Sequence, residues 1–324
     1  MLKLGPNPYG LCCTLGLQGK AEQPKDLWWF IELAEKIKGS SIEFHCLHLA
    51  EAEDRTLASI RDRLEASDIE PIISGPWPLS RITEAIPVAH KLGVRTVRTH
   101  LSPILCGARA EQGEKWNEIV SDIRFRLADL GPRFADEGLT LAIENHQDFG
   151  SEELLEFCEI GGDAVGITLD TGNPLAVCED PIAFVTRVAE RVRHLHLKDY
   201  QAQPTPDGFR LIRCPIGDGA IPFLHIERIL SQHHRELTAT LEPGALDSRH
   251  VKLLTANWWE GYQSRSVEER QACLDATKHN SISPDVDART PWERGEDAEA
   301  VCHFEMEQFM KSVRNMQLIG WLPV

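Results

Sequence analysis

The sequence contains no long hydrophobic run and no cluster of basic residues. No stretch of its 324 residues approaches the ~18 uninterrupted apolar residues that span a bilayer, and the N-terminus lacks the ~7–15-residue apolar core of a signal peptide. The 34 basic residues are outnumbered by 50 acidic ones, and the formal net charge of -16 repels phosphate backbones. We therefore expect a cytoplasmic protein with neither a membrane nor a nucleic acid as a partner.

Several catalytic motifs are also absent. The sequence has no Walker A string, no G-x-G-x-x-G, no H-E-x-x-H and no G-x-S-x-G. Nucleotide cofactors, zincin-type proteolysis and serine-hydrolase chemistry therefore lack support. The nine cysteines are odd in number and include no C-x-x-C pair, which indicates free thiols of a reducing compartment and not a disulfide framework.

Short β-branched runs alternate with amphipathic helical stretches. The alternation repeats about eight times over roughly 240 residues, as in a parallel barrel. The length of 324 residues allows one large domain or two smaller ones. We predict an α/β fold, a (β/α)₈ TIM barrel over residues 1–256, with a doubly wound open sheet as the alternative.

The alternation ends beyond residue 256. Residues 257–324 are acidic overall, show little periodicity up to residue 296 and then predict one helix at Ala298–Met316. They also carry four tryptophans, which favours packing over free solvation. We predict a C-terminal extension packed on the barrel or on a partner subunit, and a homo-oligomer, either a dimer or a tetramer.

Three local predictions can be compared with the structure directly. A weak first strand is expected near Pro8–Cys13, and a second strand is expected at Ser41–Leu47. Residues 200–221 carry proline and glycine with little periodicity, so they predict a long loop of the kind that is usually functional or disordered.

Four consecutive strands are predicted to end in residues that bind metals. Glu144, Asp170, His196 and Glu242 are separated by 26, 26 and 46 residues, each long enough for one strand and helix. In a parallel barrel these strand ends converge at the C-terminal mouth. A lone strand-end acid is better explained as a helix cap or ion pair, but three carboxylates with one imidazole suit Mn²⁺, Mg²⁺, Co²⁺ or, less readily, Zn²⁺.

The choice of histidine ligand is open on spacing alone. His194 and His196 point to the same face of a strand because side chains alternate with a period of two. We select His196 because it lies nearer the strand end.

These strand ends resemble a known family. The strings at 143–146 (Ile-Glu-Asn-His), 169–173 (Leu-Asp-Thr-Gly-Asn), 194–199 (His-Leu-His-Leu-Lys-Asp) and 241–244 (Leu-Glu-Pro-Gly) resemble the xylose-isomerase-like TIM barrels known as sugar phosphate isomerase/epimerases. The resemblance covers about residues 8–256. It implies a divalent site at Glu144, Asp170, His196 and Glu242, and it identifies the superfamily better than the reaction.

The resemblance to the ketose epimerases of this superfamily also implies catalytic roles. Glu144 and Glu242 would act as the acid and base on opposite faces of a metal-held enediolate. His146 offers a second candidate base, since an imidazole titrates near neutrality; it could equally hydrogen-bond a ligand carboxylate.

Further residues are expected to contact substrate. His48 and His100 are placed at the ends of predicted strands, Trp77 could form an apolar wall, and Lys198 could offset negative charge on a substrate oxygen. Arg213 could bind a phosphate or carboxylate as a bidentate fork. Each of these side chains could instead line the mouth, pack in the core or face solvent without any role in substrate binding.

We therefore expect an enzyme with one divalent ion, Mn²⁺ before Mg²⁺, Co²⁺ or Zn²⁺, that isomerises or epimerises a ketose or keto-sugar derivative by α-proton abstraction. The same intermediate could instead eliminate a substituent, as from a 3-oxo-glycoside or inosose, or follow decarboxylation of a 3-oxo sugar acid. The acidic charge disfavours an endonuclease, and four intact strand ends disfavour a non-catalytic barrel.

Overall fold

Eight parallel strands form a nearly closed barrel with helices between them, so the predicted TIM-barrel class is confirmed. The computed structural model describes residues 2–18, 21–50, 52–106, 108–262 and 265–324. The barrel strands are β1 (Leu2–Pro6), β2 (Ser41–His45), β3 (Glu70–Ser74), β4 (Thr96–Thr99), β5 (Thr140–Glu144), β6 (Val165–Asp170), β7 (Val192–Leu197) and β10 (Leu237–Leu241). Their order in the sheet is β1-β10-β7-β6-β5-β4-β3-β2, and each neighbouring pair is parallel.

The first and second strands approach closely at the seam of the barrel. The Ser40 amide donates a hydrogen bond of 2.9 Å to the carbonyl of Leu4. A Cβ atom on Gly5 would lie 1.6 Å from the Ser41 carbonyl oxygen. Only glycine therefore allows β1 and β2 to come this close.

The helices connect the strands and cover the outside of the barrel. They are α1 (Leu27–Lys36), α2 (Cys46–Leu49), α3 (Asp54–Ala66), α4 (Ile86–Leu92), α5 (Lys115–Asp136), α6 (Ser151–Gly161), α7 (Pro181–Val188), α8 (Phe223–Leu230), α9 (Val267–Ala276) and α10 (Ala298–Leu318). The amphipathic pattern explains their placement. In α1, for example, Phe30, Ile31 and Leu33 are buried, and the Asp26 carboxylate caps the helix by accepting from the Trp29 amide at 2.8 Å.

Alternation along the strands divides apolar from polar side chains. In β2, Ile42 and Phe44 belong to the hydrophobic core, whereas the intervening Glu43 hydrogen-bonds to His194 of β7, across the barrel. Because successive side chains of a strand point to opposite faces, the apolar set packs against the helices and the polar set fills the barrel.

The predicted first strand was wrong, and the second was too long. β1 lies at Leu2–Pro6, and Pro8–Leu11 forms a 3₁₀ turn in which the Asn7 side chain accepts from the Tyr9 amide. β2 ends at His45, because Cys46–Leu49 turns into the short helix α2. A proline at position 8 fixes φ and removes an amide donor, so a turn is favoured there.

The predicted long loop contains an antiparallel hairpin. β8 (Tyr200–Thr205) pairs with β9 (Gly208–Arg213), and β11 (Arg249–Val251) adds a third strand; we call these three strands the mouth sheet. The Pro-Asp-Gly sequence at 206–208 turns the hairpin, and a Cβ atom on Gly208 would lie 2.0 Å from the Val251 carbonyl oxygen. This turn signal, between two alternating runs, is what the loop prediction overlooked.

The C-terminal extension contacts the barrel of the same chain. Glu305 of α10 is fully buried and accepts hydrogen bonds from the amides of Cys13 and Thr14, at 3.0 and 2.8 Å, and from the Thr14 hydroxyl. Farther along α10, the Ser312 hydroxyl accepts from the amide of Ile216 at 2.9 Å. The helix therefore ties the loop after β1 to the loop after β9.

The aromatic residues of the extension also pack within the chain. The rings of Trp258 and Tyr262 stack at 5.5 Å, and the Arg109 guanidinium lies 4.4 Å from the Tyr262 ring and 4.3 Å from the Trp116 ring. These contacts do not require a partner subunit, so the oligomeric state and the domain boundary at residue 257 stay predictions.

The structure also bears on membrane-spanning segments and on disulfides. In the described part of the chain, no helix is long and apolar enough to cross a membrane. All nine cysteines are free thiols, and six of them are buried.

Replacing the Glu305 carboxylate tests the anchoring of α10. Glu305→Ala removes the acceptor of four buried donors, the Cys12 thiol included, and we expect it to lower the free energy of unfolding by about 2–4 kcal/mol. Glu307→Ala is the matched control, because Glu307 is exposed two residues away and pairs with exposed His303; a change within about 0.5 kcal/mol is expected. Urea denaturation checks both, and equal effects would contradict the assignment.

Candidate functional site

The four predicted strand-end residues meet at one point. Glu144 ends β5, Asp170 ends β6, His196 is the penultimate residue of β7, and Glu242 directly follows β10. All four are buried, and one ligand atom from each lies within 4.8 Å of the others. We call these residues the acidic cluster. The four residues follow the strand order β10-β7-β6-β5 and so form an arc along the barrel mouth. Glu242 and Glu144 lie at the two ends of this arc.

The structure separates the two histidines of β7. His196 directs Nε2 to the Glu43 carboxylate at 2.7 Å, while its Nδ1 lies 2.8 Å from Glu242 Oε2 and 3.7 Å from Glu144 Oε1. His194 lies one step deeper, between Thr238 at 2.7 Å and Glu43 at 3.1 Å. His196, and not His194, therefore joins the acidic cluster.

Glu43 is a site residue that the sequence analysis missed. Its carboxylate is fully buried and contacts both β7 histidines, the Asn7 amide at 3.3 Å and the Thr240 hydroxyl. Burial alone would raise its pKa, but His196 and His194 hold it well below the usual range. The sequence signal was a carboxylate in the middle of an apolar strand, and a carboxylate in this position commonly fixes the orientation of a metal-binding histidine.

Backbone amides and asparagines orient Asp170. Its Oδ1 accepts from the amides of Gly172 at 2.9 Å and Asn173 at 3.1 Å, so Oδ2 is left to face the cluster. The side chain of Asn145 bridges β5 and β6 by pairing with the Asp170 amide at 2.7 Å and its carbonyl at 2.8 Å. The Asp-Thr-Gly-Asn turn thus explains why this carboxylate points inward.

Cationic side chains lie directly against the acidic cluster. Lys198 Nζ is 2.5 Å from Asp170 Oδ2 and 2.7 Å from Glu242 Oε1, Arg98 contacts Glu144, and Arg213 Nη1 is 3.9 Å from Glu242. Burial alone would raise the pKa of Glu242, but Lys198 and His196 lower it well below its usual range. Arg98, in the middle of β4, was also missed by the sequence analysis.

The donor atoms of the acidic cluster fit a divalent ion. His196 Nδ1 and Glu242 Oε2 lie 2.8 Å apart, yet neither has a well-oriented hydrogen bond within the described ranges. At this distance the two atoms need a positive charge between them, which either a proton on Nδ1 or a bound divalent ion supplies. Three carboxylates and one imidazole can supply the ligands of Mn²⁺, Mg²⁺ or Zn²⁺.

Comparison with known proteins gives the family. A family model described as the xylose isomerase-like TIM barrel matches residues 31–250, more than half of the chain. The chain belongs to this family.

Individual relatives of this xylose isomerase-like barrel are distant. It is 25% identical over 207 residues to the uncharacterized protein YihM of Escherichia coli (62% of this chain, 60% of the relative). It is 26% identical over 164 residues to 3-oxo-isoapionate decarboxylase of Pectobacterium atrosepticum (50% and 56%). The matches thus span less than two thirds of these relatives. The solved structure of L-ribulose 3-epimerase has a TM-score of 0.57 at 16% identity and covers 99% of this chain and 98% of its own; it supports the fold.

The acidic cluster of this xylose isomerase-like barrel borders a cavity of about 220 Å³, which we call the polar chamber. Its lining combines Glu144 and Glu242 with basic, imidazole and phenol groups, namely Tyr9, Arg98, His100, His146, Lys198, Arg213 and Arg249. Burial holds the pKa of His146 well below its usual range, and His146 Nδ1 has no hydrogen-bond partner in the described chain. His146, Lys198 and Arg213 therefore lie together, and their catalytic and substrate-binding roles stay predictions.

The mouth sheet brings Arg213 to the polar chamber. Arg213 ends β9, and its guanidinium packs on Gly244, where φ is +66° and a Cβ atom would lie 2.3 Å from Nη1. Arg249 begins β11 and was not considered in the sequence analysis. The Asp199 carboxylate accepts from the amides of Gly217, Gly219 and Ile221 and so fixes the loop after this hairpin.

Of the remaining predicted substrate residues, two line the cavities at the barrel mouth and the third does not. His100 follows β4 and stacks on Trp77, with ring centroids 5.8 Å apart and planes 7° apart. His48 does not end a strand: it lies in α2, its Nε2 is 3.3 Å from the Leu15 carbonyl, and it lines neither the polar chamber nor the cavity beside it. His45, the true end of β2, lines that second cavity instead.

Glu43 offers a test of how the histidine is oriented. Glu43→Gln removes the charge that holds His196 Nε2, and we expect it to weaken Mn²⁺ binding by about 10–100-fold. Glu53→Gln, at an exposed position, should bind Mn²⁺ like the wild type. Calorimetric titration of metal-free protein checks both variants, and an unchanged affinity in Glu43→Gln would remove Glu43 from the site.

Proposed function

We propose that this chain is a divalent-metal-dependent enzyme that isomerises or epimerises a ketose or keto-sugar derivative by removing a proton next to the carbonyl. The observation that carries the proposal is the acidic cluster, in which four buried ligand-type groups converge at the barrel mouth and two of them face each other without a well-oriented hydrogen bond. The neighbouring polar chamber gives the substrate a place next to these groups.

Glu144, Asp170, His196 and Glu242 would hold the ion, with Mn²⁺ as our first choice because three of the four ligands are carboxylates. An ion bound there would polarise the substrate carbonyl and offset the charge that forms when the adjacent proton leaves. Lys198 Nζ now contacts Asp170 Oδ2 and Glu242 Oε1, so Lys198 would release these oxygens and could turn toward the substrate.

The two glutamates at the ends of the arc would carry the proton. Because Glu144 and Glu242 flank Asp170 and His196 in the strand order, a substrate carbon between them presents one face to each. Arg98 and Lys198, in contact with these glutamates, and Arg213 would stabilise negative charge on the substrate oxygen. His146 lines the same chamber and would pass the proton to or from the substrate as a neutral imidazole.

A lyase is the second candidate: elimination of a substituent would replace reprotonation of the intermediate, or loss of CO₂ would replace proton removal in forming it. It is favoured by the 3-oxo-isoapionate decarboxylase relative and by His146, whose Nδ1 has no partner among the described residues and can serve one face of a substrate as a base. All of these reactions would use the same acidic cluster; elimination differs from isomerisation in the fate of the intermediate, and decarboxylation differs in how the intermediate forms.

Metal removal tests the first step common to both reactions. Screening free ketoses, phosphorylated ketoses and 3-oxo-glycosides with Mn²⁺ should give a substrate whose turnover falls at least about 100-fold after chelation and returns with Mn²⁺. In D₂O, recovered substrate or isomer should carry deuterium next to the carbonyl, as read by NMR. Turnover that survives complete metal removal would contradict the proposal; elimination products without exchange would favour the lyase.

The proton-carrying roles are tested by a pair of substitutions. Glu242→Gln should lower turnover by about 10²–10⁴-fold, because the amide cannot accept the proton. His48→Gln is the control, because His48 lies outside both cavities, and its turnover should stay within about threefold of wild type. Steady-state kinetics at saturating Mn²⁺ checks both, and full activity of Glu242→Gln would refute its role.

A further inference from the structure

A second and larger cavity lies beside the polar chamber. It measures about 520 Å³, against about 220 Å³ for the polar chamber. We call it the apolar chamber; its carbon-rich lining includes Leu47, Leu49, Ile73, Trp77, Ala85 and Val88. Neither the acidic cluster nor the chemistry proposed for it uses this space.

The described residues that line the apolar chamber present no unpaired charge. Arg81 and Glu84 are the charged residues in its described lining, and they pair with each other at 2.8 Å on a half-exposed rim. Burial lowers the pKa of His45 to about 4 and that of His100 to about 3, so both rings are neutral at neutral pH. A phosphate or carboxylate would find no unpaired cation in this lining, whereas an apolar group would be stabilised there by leaving water.

Flat apolar surface stays exposed inside this chamber. The Trp77 side chain is 42% exposed although it stacks in parallel on His100, and Leu47 at the rim is 69% exposed. Covering such surface with an apolar ligand is favourable, and exposed apolar patches of this kind mark binding sites. The stacked pair offers a planar wall that fits an aromatic ring.

The two chambers are adjacent. Tyr9 and His100 line both of them, and the Tyr9 hydroxyl lies 3.1 Å from Ser74 Oγ while the Arg98 guanidinium lies over the Tyr9 ring at 5.0 Å. A ligand that passes between Tyr9 and His100 can therefore place one part beside the acidic cluster and another against Trp77.

We propose that the apolar chamber binds a flat, apolar substituent of the substrate, whose keto-sugar part occupies the polar chamber. The substrate class is then an aryl-substituted keto-sugar, such as an aryl 3-oxo-glycoside, and not a free or phosphorylated ketose. This inference rests on the proposed function of the acidic cluster, since that cluster fixes where the sugar lies.

A matched pair of ligands tests the proposal. Phenyl and methyl 3-oxo-β-D-glucopyranoside share the sugar and differ only in the group that would enter the apolar chamber. With the Mn²⁺-loaded full chain, calorimetry should give a Kd at least about tenfold lower for the phenyl compound. Val88→Phe, which fills the chamber, and Trp77→Ala, which removes its wall, should each bring the two Kd values within about twofold by weakening the binding of the phenyl compound; Val88→Phe should leave the methyl compound's Kd unchanged.

Trp292→Ala is the control, because Trp292 is 38% exposed, like Trp77, but lies in the extension and outside the chamber. It should preserve the phenyl preference. Equal binding of both compounds to the wild type, or a preference that survives both chamber variants, would overturn the inference and leave the proposed function standing. Failure of both compounds to bind would count against the keto-sugar function itself, and the inference would fall with it.

Discussion

Burial of several carboxylates at one end of the barrel is the constraint on which the rest of the structure depends. Glu43, Glu144, Asp170 and Glu242 are all buried, and ligand atoms of the last three lie within 4.8 Å of one another. Two unit charges 4.8 Å apart repel by about 3 kcal/mol at an effective dielectric constant of 20, and each buried ion also loses several kcal/mol of hydration. Cations must therefore lie against these groups, as Lys198 and Arg98 do and as a divalent ion would.

The surrounding elements can be understood as supports for this arrangement. The mouth sheet places Arg213 against Glu242. The buried Asp199 carboxylate fixes the loop after β9, and burial raises the pKa of this carboxyl group to about 7. α10 holds the loop after β1 through Glu305, next to the turn that supplies Tyr9. The C-terminal extension thus contributes to the site indirectly, by fixing the loops that border both chambers.

The sequence predicted the acidic cluster well because its residues follow a simple rule: apolar strands that end in a ligand-type residue converge in a parallel barrel. It could not predict Glu43 or Arg98 in the same way, because they lie inside strands: Glu43 meets His196 only through closure of the barrel, and Arg98 meets Glu144 through the pairing of β4 with β5. His48 was misplaced because β2 stops at His45, where the chain turns into a helix. The hairpin was missed because its turn signal lay within a segment that lacked helical periodicity.

A crystal grown with Mn²⁺ and measured at the manganese absorption edge gives the most direct test of the central claim. We predict one anomalous peak among Glu144, Asp170, His196 Nδ1 and Glu242, with His196 Nε2 still on Glu43 and with Lys198 Nζ moved away from Asp170. A map with no peak there, and with Lys198 still bridging Asp170 and Glu242 at saturating Mn²⁺, would contradict the account.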